Sequence, residues 1–302
     1  MDQPFPADVG VLLLGHGSVE RPEDIPAFVQ AIRRGRPTPQ SIVDEVTHRW
    51  KAIGGSPLQA IVERQARALE ARLGAPVATA SRLWHPYAKD VVPALVARGA
   101  KRIVSVPLAP YSVPIYHATA KAACDAAGVG CIPCAPWGTT PALIDVFAAM
   151  ARSALGRIPE AERARTHLVL SAHSLPLAIV AAGDPYEQQV RTTAAAVVAA
   201  LEFPASRAHV AFQSQGMDGG AWLGPDLPAT FAAVAEAGGG AAVTCAIGFL
   251  ADHTEVLYDL DVEAKALAEA RGLRFERAPS PNDAPRMIDA LERVARDALA
   301  AV

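Results

Sequence analysis

Two histidines, each standing at the end of an apolar run, are the residues of this sequence best placed to do chemistry. Leu12-Leu-Leu-Gly-His16-Gly-Ser18 and Val169-Leu-Ser-Ala-His173-Ser174 share that form, and the second is followed by Leu175-Pro176. An imidazole that leaves a strand into a turn accepts protons near neutral pH and binds borderline metals. The same residue also reads as a hydrogen-bonded cap of the next helix. A second group lies between Gly248 and Glu263, where Asp252, Glu255, Asp259 and Glu263 recur every three or four residues. On a helix they make one acidic ridge, with Asp261 off the line. Like charges stacked this way repel by roughly 0.2–0.5 kcal/mol per pair, a cost that a cation or a proton relieves. A solvated acidic helix start, favoured by the helix dipole, has the same pattern.

A histidine with a carboxylate ladder suits a divalent metal held weakly enough to be handed on, and lacks the fixed ligand set of a structural zinc site. The motifs G-x-x-x-x-G-K-[ST], G-x-S-x-G and H-E-x-x-H are missing, which removes the commonest phosphoryl-transfer, hydrolase and zinc protease readings. Arg33-Arg34-Gly35-Arg36, with Arg49 beyond, offers forks for carboxylates, although a solvated loop accounts for at least one of the clustered arginines. Trp50, Trp84, Tyr116, Trp137 and Trp222 stand near glycine, proline or histidine turns. A flat aromatic ligand uses such walls; core packing explains any single one equally well.

These residues need a scaffold, and the apolar pattern supplies one. Short β-rich runs at 9–14, 102–107, 167–171, 208–212 and 242–247 alternate with helical patterns at 58–73, 87–98, 115–127, 142–155, 185–201, 227–237, 262–271 and 283–302. That alternation predicts parallel sheets wrapped by helices. The histidine repeat divides the chain into two Rossmann-like, doubly wound α/β lobes, 1–155 and 156–302, with the final helix free to pack on the first. Ligands bind such sheets at the carboxyl ends of the strands, so a cleft between the lobes is expected, with His16 and His173 on facing walls. The chain has 302 residues, 51% hydrophobic, and a net charge of -3, so no global basic field draws it to nucleic acid or anionic membrane. No apolar run nears the roughly 20 residues of a membrane span, and Met1 to Val9 has no secretory n-region, so a soluble cytoplasmic protein is expected. Cys124, Cys131, Cys134 and the remote Cys245 do not form a secreted disulfide framework; free thiols or metal ligands fit better.

The combination resembles the ferrochelatase family. The most specific piece is Ser171-Ala-His-Ser-Leu-Pro176 with Gly183-Asp-Pro-Tyr186. It is joined in order by Ile53-Gly-Gly-Ser-Pro-Leu58, Phe212-Gln-Ser-Gln215, Trp222-Leu-Gly-Pro-Asp226 and the segment Gly248 to Asp259. The resemblance runs from about residue 9 to the end. It implies a lyase of haem biosynthesis that inserts ferrous iron into a porphyrin, protoporphyrin IX or coproporphyrin III. His173 would be proton acceptor and iron ligand, Glu255 its partner, and Asp259 and Glu263 the carriers of metal or protons. His16, Arg33, Arg49, Trp50, Ser56, His85, Tyr116 and Trp222 would contact the porphyrin. Many bacterial members have tyrosine where this chain has His16, which makes His16 a candidate iron ligand from the opposite face. Some members bind a two-iron two-sulfur cluster, for which Cys124, Cys131, Cys134 and Cys245 are the only thiolates here. The chain lacks the hydrophobic lip and the long C-terminal extension of membrane-associated members, so no membrane association and a monomer or weak homo-oligomer are expected. A chelatase for another tetrapyrrole or metal, or a porphyrin carrier without turnover, is the competing reading.

Overall fold

The computed structural model describes residues 4–216 and 220–302. Its strands are β1 (Val9–Gly15), β2 (Val77–Ser81), β3 (Arg102–Pro107), β4 (Gly130–Pro133), β5 (Thr166–His173), β6 (Ala208–Gln213), β7 (Ala241–Ala246) and β8 (Arg274–Arg277). The helices of the first half are α1 (Ile25–Ile32), α2 (Gln40–Ala52), α3 (Leu58–Leu73), α4 (Ala88–Ala97), α5 (Val113–Ala127) and α6 (Pro141–Gly156). Those of the second are α7 (Glu160–Arg163), α8 (Leu177–Ala181), α9 (Tyr186–Ala200), α10 (Leu227–Glu236), α11 (Thr254–Tyr258), α12 (Lys265–Glu269) and α13 (Pro285–Ala300). A π-helical stretch, Asp259–Ala264, joins α11 to α12.

The strands form two four-stranded parallel sheets, β2-β1-β3-β4 and β6-β5-β7-β8. Strands covered on both faces need apolar side chains at successive positions. Val9-Gly-Val-Leu-Leu-Leu14 and Leu168-Val-Leu170 meet that need and are buried throughout. The edge strands β4 and β8 are short and carry Gly130, Pro133, Arg274 and Glu276, which hides them from pattern reading.

Two compact units result: residues up to Trp137 with Ala251–Thr254 and Asn282–Val302, and Gly138–Leu250 with Glu255–Pro281. The sequence pattern places the boundary near residue 156, in the charged segment ahead of β5. Instead α6 packs on α9, β7 and β8, burying Leu143, Val146, Phe147 and Ala151 in the second unit. Its anchor is Thr193, whose hydroxyl donates to the Gly138 carbonyl at 2.8 Å. The closing helix α13 packs on α3, β3 and β4 in the first unit. Its stripe of Met287, Ile288, Leu291, Val294 and Ala298 faces inward at helical spacing, and Arg64 pairs with Asp283 at 2.8 Å at its start.

Strand order fixes where each unit can bind a ligand. With β2 on one side of β1 and β3 on the other, the connections diverge at the carboxyl ends of β1 and β3, which opens a crevice there. The same holds for β5 and β7. Leu14 pairs with Pro107, the last residue of β3, and Ser171 pairs with Ala246, the last of β7. His16 and His173 each lie two residues beyond those pairings, at topologically equivalent stations.

Candidate active site

His173 is the last residue of β5 and is partly buried. Its ring is fixed from one side by the Ser174 carbonyl, which accepts from Nδ1. The other ring nitrogen, Nε2, lies 3.7 Å from Glu255 Oε1. The backbone around the histidine is held as firmly: Tyr186 Oη donates to the His173 carbonyl at 2.9 Å, and Ser174 N donates to the Gln213 carbonyl at 2.7 Å. Asp184 positions that tyrosine by accepting from Tyr186 N at 2.9 Å.

Gly248 explains how Glu255 arrives. A Cβ at this position would stand 2.8 Å from both Cα and Cβ of Ala172, so only glycine lets the segment after β7 lie against the end of β5. The chain then enters α11, which places Glu255 in the first turn. Asp259 follows on the π-helical stretch, buried, and accepts a hydrogen bond from the Ser214 hydroxyl. Ser214 adopts φ +60°, a left-handed conformation that a non-glycine residue holds only where its surroundings impose it. Local π-helix often marks functional positions, and here it spans the residues between Asp259 and Glu263. Asp252 does not join the ridge: it precedes α11, and its carboxylate accepts from Asn282 Nδ2 at 2.9 Å. Arg277 takes Asp261 at 2.6 Å, away from the site.

Burial by itself would lower the basicity of His173. The carboxylate of Glu255, through charge and hydrogen bond, outweighs it, with the Ser174 carbonyl and then Asp259 adding to the effect, and the pKa rises to about 9. The imidazole is thus a cation at neutral pH, and the site is an ion pair with a second, buried carboxylate behind it. Among the described residues no three His, Cys, Asp or Glu side chains converge as a ready-made metal cage. Trp222 forms a wall: its backbone bridges to Pro176 just after His173, and its ring covers Gly216, where a Cβ would stand 2.3 Å from Trp222 Cζ2. Phe249 closes the other edge of His173, ring centroids 6.4 Å apart.

In the first unit His16 is exposed, with Nδ1 3.2 Å from Tyr116 Oη, and its ring meets Phe28 edge-on at 6.4 Å. Phe28, Trp50 and Trp84 pack together over Val19, Ile25, Val29 and Val43, and Trp50 Nε1 donates to the Val19 carbonyl at 3.3 Å. Arg33 donates to the Pro37 carbonyl at 3.2 Å, Arg49 pairs with Glu45 at 2.6 Å, and Ser56 Oγ accepts from Leu58 N at 3.5 Å. His85 is exposed between Trp84 and Tyr87, at centroid distances of 5.4 and 4.5 Å. Trp137 is a core residue, 1% exposed, its indole N–H bound to the Pro107 carbonyl at 3.0 Å.

The cysteines do not fit an iron–sulfur cluster, which takes four thiolates. Among the described residues no three of their side chains converge, and the Cys245 thiol, buried in β7, is directed at the Phe147 carbonyl at 3.9 Å. The Cys131 thiol hydrogen-bonds to Cys124, and all four cysteines are free. Four residues of the histidine site escape sequence reasoning: Gln213, Ser214, Tyr186 and Phe249. All four sit in motifs visible in the sequence, but a motif gives no sign of which histidine or aspartate each of its residues will meet.

The ferrochelatase family model matches residues 8–299. The chain belongs to the ferrochelatase family. Similar ferrochelatases include a coproporphyrin III ferrochelatase of Geobacillus kaustophilus, 37% identical and covering 94% of each chain. Another is a ferrochelatase of Acidobacterium capsulatum, 35% identical, covering 96% of this chain and 94% of the relative. SirB of Bacillus subtilis, solved with Fe3+, shares the fold at a TM-score of 0.59 and 14% identity, covering 96% of this chain and 95% of SirB. This ferrochelatase is a lyase of haem biosynthesis that takes ferrous iron as substrate and inserts it into a porphyrin. Among the described residues no helix is long and apolar enough to cross a membrane.

Proposed function

We propose that His173 and Glu255 are the catalytic pair of this ferrochelatase. The observation that carries the reading is their 3.7 Å approach at the point where β5 and β7 diverge. Metallation replaces two pyrrole protons by iron, so the enzyme must accept protons on the face of the ring that meets the metal. Imidazole is suited to both tasks, as base and as borderline ligand. Because Glu255 holds His173 as a cation, the imidazole accepts a pyrrole proton only after shedding its own. Glu255, partly exposed beside it, is the route out. Asp259 and Glu263, farther along the same helix, carry iron or protons to the pair. Trp222 and Phe249 hold the macrocycle against it by their apolar faces.

On the first unit, His16, Arg33, Arg49, Trp50, Ser56, His85 and Tyr116 are the porphyrin contacts in this reading, the arginines serving its propionates. The porphyrin is protoporphyrin IX or coproporphyrin III, which differ in vinyl against propionate groups at the ring edge. Assay of iron insertion with each, side by side, assigns it. The test of the pair is His173→Ala: iron insertion is lost while porphyrin binding, followed by fluorescence, is retained. Turnover that survives the substitution would refute the assignment.

A further inference from the structure

The thiols left over once a cluster is excluded are not alike. Cys124 lies in the last turn of α5, fully buried in the core cluster that includes Leu12, Ile103, Ala120 and Ala123. The helix ends at Gly128, φ +71°, and Val129 N donates back to the Cys124 carbonyl at 3.1 Å. That reversal lays β4 against the helix it has just left. Cys131, paired with Ile103 in the register of β4 on β3, packs onto the same cluster but stays partly exposed. The two sulfurs meet there, with the Cys131 thiol hydrogen-bonded to Cys124. The hydrogen bond from Cys131 holds the Cys124 thiol below its ordinary value, while the same bond and burial push the Cys131 thiol up; Lys121, exposed one turn before Cys124, favours thiolate on both, and Asp125, bonded to it at 2.7 Å, opposes it. Among the described residues Cys134 and Cys245 have no thiol partner: each is buried, and loss of solvent pushes each thiol up to about 12, for Cys245 against the charge of Arg277. A reactive cysteine needs thiolate character and access. One pair has both.

We propose that Cys124 and Cys131 are a peroxide-responsive dithiol that closes to an intrachain disulfide, tying the last turn of α5 to β4. The oxidant is a hydroperoxide. Starting from the singly deprotonated pair, the Cys131 proton passes to Cys124, and the Cys131 thiolate attacks one peroxide oxygen. An S–O bond forms, the O–O bond breaks and hydroxide leaves. The Cys124 sulfur then attacks the sulfenic sulfur of Cys131. The S–S bond forms, the S–O bond breaks, and the departing oxygen leaves as water with the Cys124 proton. The two sulfurs lose two electrons and the peroxide gains them.

The experiment counts thiols on the full chain, treated with hydrogen peroxide, then denatured and labelled with a mass-tagged alkylating reagent. Of the four thiols two become unlabelled, and dithiothreitol restores both. Cys134→Ser still loses two, because Cys134 takes no part. Cys131→Ser, on a short edge strand and therefore tolerated by the fold, forms no disulfide; Cys124→Ala gives the same result from the core side. A count that stays at four in the wild type overturns the proposal. So does a dithiothreitol-reversible loss that persists in Cys131→Ser, or a disulfide that joins separate chains on a non-reducing gel.

Discussion

At the end of β1 the imidazole of His16 meets a phenol, Tyr116 Oη at 3.2 Å; at the end of β5 the imidazole of His173 meets a carboxylate, Glu255 Oε1 at 3.7 Å. Strand order, station and residue type are the same in both units. The partner differs, and so does exposure, His16 being exposed and His173 partly buried. Tyr116 offers its imidazole a hydroxyl at hydrogen-bonding distance. A carboxylate adds charge, and with Asp259 buried behind it the second imidazole is lifted to about 9. The fold offers two equivalent stations, and the side chain supplied by the helix after β3 or β7 sets the charge beside each imidazole.

That contrast is broken most directly by removing each histidine. His173→Ala is expected to lower kcat by about 10²–10⁴-fold, the usual weight of a general acid–base residue. His16→Ala should lower it by less than about tenfold, roughly 1.4 kcal/mol. Steady-state iron insertion with both variants checks the ordering. Equal losses would show that the phenol-bound histidine shares the proton chemistry.

The carboxylate itself is tested by Glu255→Gln. If turnover needs the neutral imidazole, the wild-type rate rises with pH toward the His173 value of about 9. Without the Glu255 charge the main cause of the raised value is gone while burial still lowers it, so the rise moves toward or below the ordinary 6.5. Stability follows the same linkage: a raised histidine pKa stabilises the folded state fully below 6.5 and loses that contribution as pH climbs through about 9. Denaturant titrations at both ends of that window should differ for the wild type more than for Glu255→Gln. A kinetic profile unmoved by the substitution would detach Glu255 from the histidine.

The glycines give a structural form of the comparison. Gly248→Ala drives a methyl into Ala172 at 2.8 Å, whereas Gly15, beside His16, has only Leu108 Cδ1 at 4.0 Å. Overpacking of the first kind costs about 1–3 kcal/mol. Gly15→Ala should cost less than about 0.5 kcal/mol, as uncrowded substitutions do. Chemical denaturation of the two variants reads the difference.

How much of this is legible in the sequence follows from what each feature depends on. The central strands are, because burial on both faces demands an unbroken run such as Val9 to Leu14; β4 and β8, with glycine, proline and arginine, have no such demand. The repeat of His16 and His173 is visible because station follows from strand length. Spacing alone does not give their partners, since Tyr116 and Glu255 lie 100 and 82 residues away and meet the histidines only through the sheet crossovers; the pairing of Glu255 with His173 comes from the family resemblance. The acidic spacing puts Asp252, Glu255, Asp259 and Glu263 on one helix, whereas Asp252 precedes the helix start and is captured by Asn282, and Asp259 and Glu263 lie on the π-helical stretch that follows α11. The boundary near residue 156 follows charge, whereas α6 follows its apolar face into the second unit.

The smallest expected effect lies at the phenol. Tyr116→Phe keeps the ring, which is buried in the core cluster with Ala120 and Cys124, and removes only the hydroxyl that meets His16. A neutral hydrogen bond contributes about 0.5–1.5 kcal/mol, and because His16 is exposed, water takes the place of the lost partner, so the lower end applies. Stability should fall by about 0.5 kcal/mol. Iron insertion should change less than about threefold, near 0.6 kcal/mol. Both are read on the same preparation by denaturation and by turnover. If instead turnover collapsed while stability held, the hydroxyl would be acting on the reacting porphyrin, and the first unit would have to be assigned a proton-handling group of its own.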